Sequence, residues 1–139
     1  MTAKPTIDYT LDASALLALL LDEPGHEQVS AILDHALIHS VNIAEVVSKL
    51  ISKGVSEWRA PQMVEELDLQ IDEEFGLSQA ASCGQLVART RPQGLSLGDC
   101  VCLTVAASRG STAVTADRRW QELDGQRIEN NQIRVQVIR

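Results

Sequence analysis

The sequence predicts an α/β fold with a mostly parallel central sheet and helices on both faces. Three observations carry that reading. Short β-favouring runs alternate with longer apolar-periodic runs along the chain, the pattern of strands joined by crossover helices. Turn and cap residues fall between the runs, as in Asp22-Glu23-Pro24-Gly25 and Pro92-Gln93-Gly94. Aromatic residues make up only 3% of a chain that is 45% hydrophobic, so its core is aliphatic.

The elements follow in order. Ile7 to Leu11 reads as a first strand, and Ala13 to Leu21 as a helix stopped by the Asp-Glu-Pro-Gly turn. His26 to His35 places Val29, Ile32 and Leu33 on one helical face. Leu37 to Val41 is a short strand, and Asn42 caps a helix that runs to Lys53 before Gly54. Ser56 caps the next helix, through about Leu67. Leu67, Leu69 and Ile71 alternate with polar residues as an edge strand. Leu77 to Arg91 is helical and is ended by Pro92 and Gly94. Ser96 caps an apolar helix that stops near Gly110. Thr112 to Thr115 is a strand, and the alternation of Ile133, Val135 and Val137 forms the last. Without repeats, low-complexity tracts or a long linker, residues 1–139 read as a single domain.

Bulk properties narrow the function. A formal net charge of −7 argues against a protein that coats nucleic acid non-specifically. The scarcity of aromatics argues against recognition by rows of stacked bases. Three cysteines, Cys83, Cys100 and Cys102, give an odd number with no Cys-x-x-Cys pair, so neither a disulfide framework nor a zinc site is expected. The run Ala15 to Leu21 is too short to span a membrane. It also lacks the basic flank and small-residue cleavage site of a signal peptide, so a cytoplasmic protein is expected.

Four acids stand where an open parallel sheet places its ligands, at the carboxyl ends of strands. Asp12 and Asp117 follow predicted strands directly. Glu45 and Asp99 lie three residues after the predicted caps Asn42 and Ser96, in first helical turns. Each has a local alternative, since Asn42-x-x-Glu45 and Ser96-x-x-Asp99 resemble capping boxes and the other two can start turns. Gathered together they would need a cation. Carboxylates about 4 Å apart repel by about 4 kcal/mol per pair at an effective dielectric near 20. An all-oxygen set of this kind suits Mg²⁺ or Mn²⁺.

The segments LDASALLALLLDEPG, SVNIAEVVSKL, TRPQGLSLGDCVCLTVAASRG and TAVTADRRW together resemble the PIN-domain ribonucleases, and more closely the VapC-like toxins of type II toxin–antitoxin pairs. The resemblance implies a PIN-like three-layer fold and Mg²⁺- or Mn²⁺-dependent hydrolysis of RNA. It implies Asp12, Glu45, Asp99 and Asp117 as metal-binding catalytic acids. It also implies a homodimer and a cognate antitoxin protein as partner. Thr115 matches the hydroxyl residue that often precedes the last acid. Ser14 and Asn42 are further candidates to orient ligands or water, with capping or turn duty as the alternative for all three. Arg91 and Arg118 are the cations nearest the acids in sequence and the candidate RNA contacts. Trp120 offers either a stacking face or core packing. Gly98 leaves room beside Asp99, for substrate or for close packing.

Two rivals remain at this point. One is a non-catalytic interaction module whose acids are helix caps. The other is a receiver-like or phosphatase-like phosphate-handling domain. Against the latter, Asp12 is followed by Ala13-Ser14 rather than by a second Asp two residues on, and no Lys follows Lys53.

Overall fold

The computed structural model describes residues 6–139. Its main sheet has five strands, all parallel. These are β1 (Tyr9–Leu11), β2 (Ala36–His39), β3 (Gln70–Asp72), β4 (Thr112–Thr115) and β7 (Val135–Val137), in the order β3-β2-β1-β4-β7. β1 is central, with Thr10 opposite Leu37 on one side and Ala113 on the other. The chain order reverses at β1, so the carboxyl ends of β1, β2 and β4 open onto a topological switch point.

Period-two alternation divides the core. Leu11, Ile38 and Val114 face the layer built from α1 (Ala13–Leu20), α2 (His26–Ile32), α3 (Ser40–Ser52) and α4 (Arg59–Glu65). Leu37 and Ala113 face the opposite layer, made by α5 (Leu77–Arg89) and α6 (Leu97–Arg109). The result is the three-layer α/β architecture expected. α6 is buried on almost every side, from Cys100 through Ala107. It ends at Gly110 in the left-handed conformation (φ +66°) that favours glycine.

Several boundaries differ from the sequence reading. α3 starts at Ser40, and its cap is His39, not Asn42. The imidazole Nδ1 of His39 accepts the Val41 N–H at 3.1 Å, and its Nε2 donates to the Glu74 carbonyl at 2.9 Å. β2 therefore ends two residues earlier than expected, and Asn42 lies inside the first helical turn. α2 stops at Ile32 and tightens into a single 3₁₀ turn, Leu33–His35. α4 is shorter than predicted, although Ser56 Oγ does accept the Arg59 N–H at 3.2 Å. β3 begins at Gln70 rather than Leu67. α5 ends at Arg89, where Thr90 turns its hydroxyl back onto the Leu86 carbonyl at 2.8 Å. A 3₁₀ helix, Arg118–Leu123, and a small hairpin, β5 (Arg127–Ile128) with β6 (Asn131–Gln132), add to the elements the sequence predicts. Ile133 belongs to the hairpin's exit rather than to β7, and it is buried within the α5–α6 core.

The three cysteines are free and buried. Trp120 is fully buried, so it serves the core and offers no stacking face. No helix among the described residues is long and apolar enough to cross a membrane.

Candidate active site

The site is built from backbone ends. Asp12 leaves β1 and caps α1, accepting the Ala15 N–H at 2.8 Å. Glu45 lies on α3, one turn and a half from its start. Asp99 is the third residue of α6, and Asp117 leaves the β4 turn and caps the 3₁₀ helix that follows. These four acids, from four separate segments, line one open cleft of about 590 Å³ together with Ser14, Lys49 and Arg119. The first turns of α1 and α6 line it, and their positive dipole ends favour anions there.

Asp12 is the deepest. It is 4% exposed. Ser14 Oγ donates to its carboxylate at 2.7–2.8 Å and Thr115 Oγ1 at 2.6 Å. Even so, burial outweighs these donors, and with a small push from Asp99 it raises the carboxyl pKa from 3.8 to about 7. Ser14 and Thr115 thus both touch the Asp12 carboxyl. They also serve the local backbone, because Ser14 Oγ accepts the Ala116 N–H at 2.9 Å and Thr115 Oγ1 the Asp117 N–H at 3.0 Å.

Glu45 is placed by Asn42, whose Nδ2 donates to Glu45 Oε1 at 2.8 Å and to the Gly98 carbonyl at 3.0 Å. That amide ties α3 to α6. The expected capping box at Asn42 is absent, because Asn42 is already helical and its side chain reaches forward to the acid. The space at Gly98 is taken by Glu45: a Cβ there would collide with the Glu45 carboxylate. Room for substrate is therefore not what this glycine supplies.

Asp99 does form the capping box with Ser96. Its Oδ2 accepts the Ser96 N–H at 2.9 Å while Ser96 Oγ accepts the Asp99 N–H at 3.1 Å. The cap engages Oδ2, and the residue also lines the cleft. Capping and cleft duty coexist in one residue. Asp117 is gripped by Arg119, whose hydrogen bonds hold its carboxyl below the ordinary carboxylate range.

Of the candidate RNA contacts, Arg91 lies in an exposed 3₁₀ turn and Arg118 donates to the Arg139 carbonyl at 3.0 Å; neither lines the cleft. Lys49 and Arg119 do. Nearness in sequence favours Arg118, yet Arg119 is the residue in the cleft. The signal that finds it is the turn itself, since the Asp117 cap returns the residue two positions on, not one, toward the carboxylate.

The donor set bears on whether a metal fits. Every candidate ligand is a hard oxygen, and Asp12 is a buried carboxyl whose pKa burial pushes up to about 7. Asn42 Oδ1 is buried with no hydrogen-bond partner, an acceptor suited to a coordinated water's proton. These features fit a divalent cation. Among the described residues, no three His, Cys, Asp or Glu side chains stand close enough to hold one ion as they are, so binding requires side-chain adjustment.

Comparison with known proteins settles the family. The sequence model of the PIN domain matches residues 9–126. The chain belongs to the PIN-domain family. A search of curated proteins finds no match. Among solved structures, the PIN domain described here is similar to DNA-bound VapBC from Salmonella typhimurium, with a TM-score of 0.71 and 21% identity over 96% of this chain and 100% of that one. It is also similar to VapBC2 from Rickettsia felis bound to a promoter DNA fragment, with a TM-score of 0.67 and 15% identity over 94% and 98% of the two chains. The sarcin–ricin-loop-cleaving toxin VapC20 from Mycobacterium tuberculosis aligns with a TM-score of 0.67 at 13% identity, over 83% of this chain and 94% of that one. At these identities the likeness establishes the shared PIN fold.

Proposed function

We propose that this PIN domain is a Mg²⁺- or Mn²⁺-dependent endoribonuclease and the toxin of a toxin–antitoxin pair. One observation carries the reading: Asp12, Glu45, Asp99 and Asp117, each from a different segment, converge on one cleft. Bound there, a divalent ion would supply an acidified water for phosphodiester hydrolysis and a charge to offset the developing phosphorane. Asp12, fixed by Ser14 and Thr115, provides the most rigid ligand. Asn42 positions Glu45. Asp99 presents its uncapped oxygen, and Asp117 supplies the fourth carboxylate. Lys49 and Arg119 offer the positive charge an acidic protein needs to receive an RNA backbone.

The VapBC neighbours support a cognate antitoxin as partner, and VapC20 supports a structured RNA as one class of target; a homodimer is the assembly that the family resemblance implies. A cytoplasmic location agrees with that role.

The interaction-module reading keeps one observation in its favour, since Asp12, Asp99 and Asp117 all cap helices. Incubation of the purified chain with total RNA, with and without Mn²⁺ or Mg²⁺, separates the two. The nuclease reading expects metal-dependent cuts at few sites that vanish in Asp99→Asn. No cleavage with either metal, together with no metal-induced rise in melting temperature, would leave the acids as caps.

A further inference from the structure

Arg119 divides its guanidinium between two partners. Nη1 donates to the main-chain carbonyls of Gln93 at 2.9 Å and Gly94 at 3.3 Å. The opposite edge meets Asp117, with Nε 3.0 Å from both carboxylate oxygens and Nη2 2.5 Å from Oδ2. The Arg119 main-chain N–H adds a further bond to Oδ1 at 3.0 Å. Both Asp117 oxygens are therefore engaged by a single residue.

The carbonyl seat is what separates this arrangement from an ordinary surface ion pair. It anchors the guanidinium independently of Asp117. Gly94 belongs to the seat: its backbone is left-handed (φ +69°), and a Cβ there would stand 3.2 Å from Nη1. The Nε–Nη2 edge is the planar fork that fits a carboxylate or a phosphate equally well. If Asp117 turns away, Nη1 can keep its seat while the fork stays in the cleft wall, free for another two-oxygen anion.

We propose that Arg119 is a resident counter-cation that exchanges partners: its fork holds Asp117 while the site lacks a metal, and passes to an RNA phosphate once a divalent ion takes Asp117. This rests on the metal-nuclease reading above and adds to it a residue that couples the two ligands. Metal competes with the fork for Asp117, and Asp117 competes with phosphate for the fork. By linkage, metal and RNA then tighten each other's binding.

Arg119→Lys isolates the fork, since it keeps the charge and loses the planar double contact and the carbonyl seat. Mn²⁺ affinity is read from the rise in melting temperature across a metal titration of the wild type, Arg119→Lys and Arg119→Ala, beside KM and kcat on a short cleavable RNA. Partner exchange expects both variants to bind Mn²⁺ more tightly than the wild type, by about tenfold for loss of charge-assisted bonds, while KM for RNA rises. Mn²⁺ affinity in Arg119→Lys equal to that of the wild type, with Arg119→Ala alone tightened, would overturn it, because only through-space charge would then be at work. Mn²⁺ binding to none of the three proteins would overturn the metal-nuclease reading, and the exchange with it.

Discussion

At the scale of single residues, Asp12 and Gly98 make the sharpest statements. Asp12 holds its proton more tightly folded, at about 7, than its ordinary 3.8. Where the folded state binds more protons than the unfolded state, stability falls as pH rises. The metal-free protein is therefore expected to lose stability between pH 3.8 and about 7, and Asp12→Asn to flatten that part of the profile. Melting curves in EDTA across this range check it; an unchanged slope in the variant would mean that other groups set it. Mn²⁺ added at pH about 7.5 is expected to raise the wild-type melting temperature more than that of Asp12→Asn, by mass action on the folded state. Gly98→Ala tests the approach of α3 to α6. The atoms its Cβ meets are the tip of the Glu45 side chain, which can swing aside. Stability is expected to change by less than about 1 kcal/mol, while metal affinity falls because Glu45 has left its place. A large loss of stability in urea unfolding would show instead that the backbone, not the carboxylate, absorbs the methyl group.

At the scale of elements, the caps decide where acids point. Ser96 and Asp99 satisfy each other's backbone N–H groups, so Ser96→Ala is expected to cost about 1 kcal/mol in denaturant unfolding. The Ser96 main-chain N–H, which holds Asp99 Oδ2, survives the substitution, so the carboxylate is expected to keep its place. A cost near zero would mean that burial of α6 alone fixes its first turn. Ser96 was legible because a Ser-x-x-Asp ahead of an apolar run is a local signal. The α3 cap was not legible. His39 caps because the Glu74 carbonyl, 35 residues on, fixes its ring with Nδ1 free to accept. No local pattern reports so distant a partner, and Asn42 was a plausible cap on local grounds alone. The β5–β6 hairpin escaped for a related reason: two-residue strands carry too little alternation to register, and Ile133 continues the pattern of β7 without pairing in it.

At the scale of the whole molecule, the net charge of −7 confines RNA binding to a local positive patch. The cleft is lined by Lys49 and Arg119 alone among cations of the described residues. Two phosphate contacts on single-stranded RNA give a slope of about −1.4 in log affinity against log salt. A slope steeper than about −4 in a filter-binding titration would mean that the phosphate track extends well beyond the cleft, as across a dimer.

The sequence alone established the α/β class, the order of the main-sheet strands' appearance along the chain, the aliphatic core and the acids at strand ends and first turns. Those follow from periodicity, caps and composition, which act over a few residues. Three features required the folded chain: Glu45 placed over Gly98 through Asn42, Arg119 rather than Arg118 in the cleft, and burial deep enough to hold Asp12 at about 7. Each depends on contacts between segments tens of residues apart. Desolvation and side-chain reach are properties of the packed neighbourhood, and the same local sequence would have neither in a different packing.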